Sequence, residues 1–98
     1  MTKYFTKNPS MVAREIAGEM ILVPVKQNAS DLQCMYTLNG VGTRIWELIN
    51  GHTTVDGITS TIVREYEVET PQAKADVVEF LDQMKAIGAI VEKYDGGN

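Results

Sequence analysis

One cysteine, one histidine and one tryptophan are all that 98 residues contain of these types. The lone Cys34 cannot close an internal disulfide, which points to a reducing, cytoplasmic setting. His52 has no second His or Cys at ligand spacing, so a metal site would lack donors. Long apolar runs are missing as well. Nothing approaches the roughly 20 residues needed to span a bilayer, and the opening "MTKYFTKNPS" lacks the apolar core of a signal peptide. Cations are scarce: nine Lys and Arg stand against thirteen Asp and Glu, for a formal net charge of -4. Nucleic acid and anionic membrane both require a basic face, so neither is expected as the main partner.

What is present is apolar material in ordered blocks. Hydrophobic residues make up 44% of the chain, enough for the thin core of one small domain over residues 1–98. Residues 1–10 read as a polar lead-in. "MVAREIAG" alternates and ends at Gly18, a weak strand followed by a turn. "EMILVPV" is a stronger strand, with Pro24 marking an edge or a terminus. "KQNASD" at 26–31 is a turn by composition. "LQCMYTL" at 32–38 is a third strand, with Cys34, Tyr36 and Leu38 on one face and Gln33, Met35 and Thr37 on the other.

The period then changes from two to 3.6. Val41, Ile45, Leu48 and Ile49 form a helical stripe with Trp46 beside it, capped by Asn39 and stopped at Gly51. A second helix runs from about Thr54 to Glu67 on the stripe Val55, Ile58, Ile62 and Tyr66. A third starts with Thr70 as N-cap and Pro71 at N1 and ends near Ile87. Its core stripe is Ala73, Val77, Phe80, Met84 and Ile87, widened by Val78 and Leu81. "AIVEKY" closes the chain as a short extended segment, and "DGGN" is expected to be a loose tail. Gly42 and Gly57 suggest close packing between the first two helices.

No catalytic constellation assembles from these residues. Cys34 sits in an apolar strand, which suits a small buried hydrophobe better than a nucleophile. His52 reads as an exposed loop residue. Gly40-Val41-Gly42 lacks the further glycine and the lysine of a phosphate loop. Asp76, Glu79 and Asp82 on the third helix read as a solvated face. Neither an enzyme, a cofactor nor a metal is expected.

"YTLNGVGTRIWELING", "TVDGITSTIVREYEV" and "QAKADVVEFLDQMKAIGAI", in that order and spacing, resemble the PqqD-like proteins, named for a small accessory protein of pyrroloquinoline quinone (PQQ) biosynthesis. The similarity covers about residues 12–91; "NGVG" is richer in glycine than the family pattern. The resemblance implies a winged helix-turn-helix-like α+β fold, three strands followed by three helices. It also implies a non-catalytic adaptor of the kind that binds the leader segment of a ribosomally made precursor peptide. Such an adaptor presents the peptide to a modifying enzyme, often a radical S-adenosylmethionine (SAM) protein, in PQQ-type or related peptide-derived pathways.

Such a peptide can add as a strand to an exposed sheet edge. The third strand, at Gln33, Cys34, Met35, Tyr36 and Thr37, is the expected edge. Across from it, Lys74, Val78, Leu81 and Lys85 form a stripe on the third helix; Val78 and Leu81 can equally be core. Two lysines flanking apolar residues suit a ligand with apolar anchors and acidic groups. The same free edge invites pairing with a second copy, so a homodimer is a further expectation. The alternative on the same fold is a winged-helix DNA-binding transcriptional regulator.

Overall fold

In the computed structural model, which describes residues 2–25 and 36–94, a tight hairpin turn falls at Ala17-Gly18. Both residues have positive φ, 54° and 82°, the combination a two-residue hairpin turn requires. It joins β2 (Met11–Ile16) to β3 (Glu19–Pro24) in antiparallel register, with Ile16 opposite Glu19 and Met11 opposite Pro24. β4 (Tyr36–Leu38) then pairs with the other side of β3, Leu22 facing Tyr36 and Met20 facing Leu38. The sheet order is β2-β3-β4, which leaves β4 at an edge. The three expected strands are thus present, the last of them over 36–38. The expected turn at 26–31, the positions Gln33, Cys34 and Met35, and the tail at 95–98 lie outside the described residues.

The lead-in is where the structure departs from the sequence reading. Lys3–Lys7 is a strand, β1, paired antiparallel with β5 (Ile90–Tyr94), so that Lys3 faces Tyr94 and Lys7 faces Ile90. The polar sequence KYFTK hides one buried side chain, Phe5, which is 2% exposed. Two anchors fix the strand: Gly51 N donates to the Phe5 carbonyl at 2.7 Å, and the Asn8 side chain donates to the Gly88 carbonyl at 2.8 Å.

Three helices pack against the two sheets, the first beside β4 and the third beside β5. α1 (Gly40–Leu48) starts where Asn39 Oδ1 accepts from Gly42 N at 2.7 Å. α2 (Val55–Tyr66) is capped by the Thr54 hydroxyl, with Asp56 in its first turn, where a negative charge complements the exposed N–H groups. α3 (Thr70–Ala86) starts one residue earlier than expected. Its N-cap is Glu69 rather than Thr70, because Ala73 N already donates to the Glu69 carbonyl at 2.9 Å. The core gathers Leu22 and Leu38 from the larger sheet, Ile45, Trp46 and Ile49 from α1 and its end, Ile58 and Ile62 from α2, and Val77, Leu81 and Met84 from α3. Tyr66 and Ile87, expected in core stripes, are exposed.

Arg44 of α1 reaches Glu65 of α2 through two bonds of 2.8 Å; the hydrogen bond holds the Glu65 carboxyl below its ordinary value. Lys85 of α3 and Lys3 of β1 converge on Glu92 of β5. The hydrogen bond from Lys85 is the main cause holding that carboxyl at about 2, against an ordinary 4.5. A carboxyl whose folded value lies below its unfolded one stabilises the fold fully above about pH 4.5 and less as pH falls toward 2. Glu92→Gln is therefore expected to flatten acid destabilisation across that window, read by urea unfolding at stepped pH. Thr59 presents the opposite case. It is 4% exposed, and its hydroxyl has no hydrogen-bond partner among the described residues. Thr59→Val replaces that hydroxyl with a methyl group of similar shape and is expected to raise stability by up to ~1 kcal/mol, measured the same way.

Candidate functional site

The backbone groups on the outer side of β4 face no strand among the described residues. Beside this edge lies a hollow of about 290 Å³ between the start of α1 and one side of α3. Its apolar lining comes from Val41, Ile45 and Phe80, and its polar rim from Asn39, Asp76, Glu79 and Gln83. Tyr36 reaches across from the strand: its hydroxyl donates to Gln83 Oε1 at 2.7 Å, tying the edge to α3.

The spacing of α1 and α3 depends on Gly42. A Cβ at this position would stand 3.0 Å from Phe80 Cε1 and 3.1 Å from Asn39 Oδ1. Glycine thus lets the Phe80 ring lie against the α1 backbone and roof one side of the hollow. The close approach expected of Gly42 is real, but its partner is α3 rather than α2. Gly57 is exposed and would meet only Thr54 and Thr53, so it makes no helix-packing contact.

Carboxylates flank β4 on both sides. Asp76 accepts from Gln72 at 2.9 Å, and neither Asp76 nor Glu79 has a cationic partner among the described residues. A second, more open depression lies beyond Thr37, Leu38 and Asn39, with Glu15, Glu19 and Glu47 on its walls. Arg44 offsets Glu47 there, at 3.3 Å.

The helix stripe expected opposite the edge strand lies elsewhere. At about 100° per residue, Asp76, Glu79, Phe80 and Gln83 centre on one side of α3. Lys74, Val78, Leu81 and Lys85 centre on the opposite side, and the buried Ala73, Val77 and Met84 run between. Leu81 is 2% exposed and belongs to the core, whereas Val78 is 38% exposed. Val78 and Lys74 border a depression with Thr54, Val55 and Lys3, and Lys74 lies 3.8 Å from Asp56. Lys85 is engaged with Asp82 and Glu92. Of the positions singled out in the sequence, Tyr36 and Thr37 are on the edge strand. The neighbours the sequence reading missed are Asp76, Glu79, Phe80 and Gln83. Their i, i+3, i+4, i+7 spacing is visible in the sequence, but it reads as a solvated face until β4 is placed beside it.

His52 is exposed in the loop after α1, where its backbone N–H donates to Asn50 Oδ1 at 2.8 Å. Among the described residues no group of three or more His, Cys, Asp or Glu is placed to hold a metal ion. No helix among them is long and apolar enough to cross a membrane.

A sheet edge, a helix-lined hollow and a hairpin ahead of three helices define a winged helix-turn-helix-like α+β domain. The sequence profile described as coenzyme PQQ synthesis protein D (PqqD) matches residues 19–90, and the chain belongs to that family. Comparison with curated protein sequences gives no significant match. Among solved structures, the fold is similar to that of TbiB1 in complex with the TbiA(beta) leader peptide. The identity is 22%, the TM-score 0.71, and the alignment covers 95% of this chain and 98% of that one. It is likewise similar to lasso peptide synthetase B1 complexed with the leader peptide, at 18% identity and a TM-score of 0.73, covering 89% and 96%.

Because the hollow depends on the contact between Gly42 and Phe80, Gly42→Leu is expected to force the ring outward. The expected cost is about 1–3 kcal/mol of stability, measured by urea unfolding, together with a change in the aromatic proton shifts of Phe80.

Proposed function

We propose that the protein is a non-catalytic adaptor that binds the leader segment of a precursor peptide and presents it to a peptide-modifying enzyme. The observation that carries this reading is the edge of β4, unpaired among the described residues, beside the hollow of α1 and α3. An extended peptide that pairs with β4 satisfies the open backbone groups of Tyr36–Leu38. Its alternate side chains point toward the hollow on one face and toward solvent on the other. Main-chain pairing supplies affinity with little dependence on sequence; the hollow supplies selectivity. The upstream positions Gln33, Cys34 and Met35 extend the proposed pairing surface beyond the described residues.

Two further facts support the reading. The family is that of an accessory protein for coenzyme PQQ synthesis, and two proteins of the same fold are described in complex with leader peptides. The enzyme served is a radical SAM protein or another peptide modifier, and the product PQQ or a related peptide-derived compound. A winged-helix DNA reader is disfavoured by charge. The exposed side chains of α3 include Asp76, Glu79 and Asp82, Lys85 is paired, and the whole chain carries -4. Phosphate contact needs the reverse balance. Self-pairing through β4 competes for the same edge, so a homodimer of that kind is expected to dissociate when peptide binds.

The test uses a synthetic leader segment from a precursor peptide encoded beside this gene. Saturable binding is expected, with slowed amide exchange concentrated in residues 36–38 and unchanged exchange in β5. Binding that protects α2 or β5 instead would refute strand addition at β4.

A further inference from the structure

We infer that the groove beside β4 selects a peptide strand carrying a basic residue next to an apolar one on its groove-facing side. This rests on the strand-addition reading and specifies the chemistry of the ligand. It reverses the ligand charge expected from Lys74 and Lys85, because neither lysine faces the groove.

The hollow offers two kinds of surface. Val41, Ile45 and Phe80 form an apolar lining with room for one side chain. Asp76 and Glu79 stand on its rim, and Glu79 has neither a hydrogen-bond donor nor a cation among the described residues. On the other flank of β4, Glu15 shares the sheet face of Met20 and Leu38 and adds negative charge, and the nearby Arg44 is occupied by Glu47 and Glu65. Of the remaining cations, Lys74 and Lys85 project from the far side of α3. Arg14 sits opposite Ile21, which itself pairs with Thr37, and so lies on the sheet face away from Leu22 and Leu38.

Among the described residues, a strand laid along β4 therefore meets unpaired carboxylates beside the hollow, where opposite charge is attracted. Groove-facing side chains recur every second residue, about 6.6 Å apart. Asp76 and Glu79 are about 4.5 Å apart along the helix axis. One apolar side chain in the hollow thus leaves its neighbour two residues away within reach of the carboxylates, where Lys or Arg is favoured and Asp or Glu is repelled.

The test is a selection of random 12-residue peptides, displayed on phage, against the full-length protein and against its D76N/E79Q variant. The native protein is expected to enrich peptides with Lys or Arg two residues from an apolar position. The variant is expected to enrich the apolar position alone. For one recovered peptide made synthetically, replacing its basic residue with Glu should weaken binding to the native protein about tenfold. The variant should lose most of that difference, and so should the native protein in 1 M salt. Native-selected peptides without basic enrichment, or with the same enrichment on the variant, overturn the charge assignment. If those peptides still slow amide exchange in residues 36–38, strand addition survives that failure. If no recovered peptide protects 36–38, strand addition fails and the charge assignment with it.

Discussion

The approach of the Phe80 ring to the backbone at Gly42 is the contact on which the rest of this architecture turns. It sets how closely α1 and α3 pack, and hence the depth of the hollow beside β4. The same position donates its N–H to Asn39, so the end of the strand, the start of the helix and the ring from α3 meet at one residue. Any side chain at 42 would have to displace either the ring or the cap. The edge strand is thus held against the core without being covered by it. Tyr36 reinforces the arrangement from its other end through Gln83.

The helices and the β2–β3 hairpin were legible in the sequence because their signals are local. Alternation, the 3.6 period, Asn39 as a cap, and Gly18 in the turn each act over a few residues. β1 was not legible for the converse reason. KYFTK carries a single residue that must be buried, and its partner lies at the far end of the chain. The groove was half legible. Position and pattern marked the edge strand, but α3 has two flanks beside its buried stripe, and nothing local says which one β4 approaches. The flank with two lysines looked like a binding face. The flank with Asp76, Glu79 and Gln83 is the one the sheet meets.

Charge is unevenly spread as a result. Lys3, Lys7 and Lys85 collect near the β1–β5 pair, where Glu92 gathers two of them and Lys7 lies 5.2 Å from the centre of the Trp46 ring. Asp76, Glu79, Glu15 and Glu19, which have no ion-pair partner among the described residues, border the two depressions beside β4. A modest net charge of -4 therefore conceals a molecule with distinct ends. An approaching charged peptide would be oriented by that difference before contact.

The pairing of Lys3 with Tyr94 also has a kinetic meaning. The β2–β3 hairpin closes over two residues, Ala17 and Gly18, whereas β1 and β5 can meet only by closing a loop of nearly the whole chain. Loop-closure entropy grows as about (3/2)RT ln n, near 4 kcal/mol for a segment of this length, before any contact repays it. The β1–β5 ribbon should then be among the last elements to form, after the helices have collapsed and shortened the effective loop. Phe5, the side chain it brings in, would seal a core already assembled rather than nucleate one.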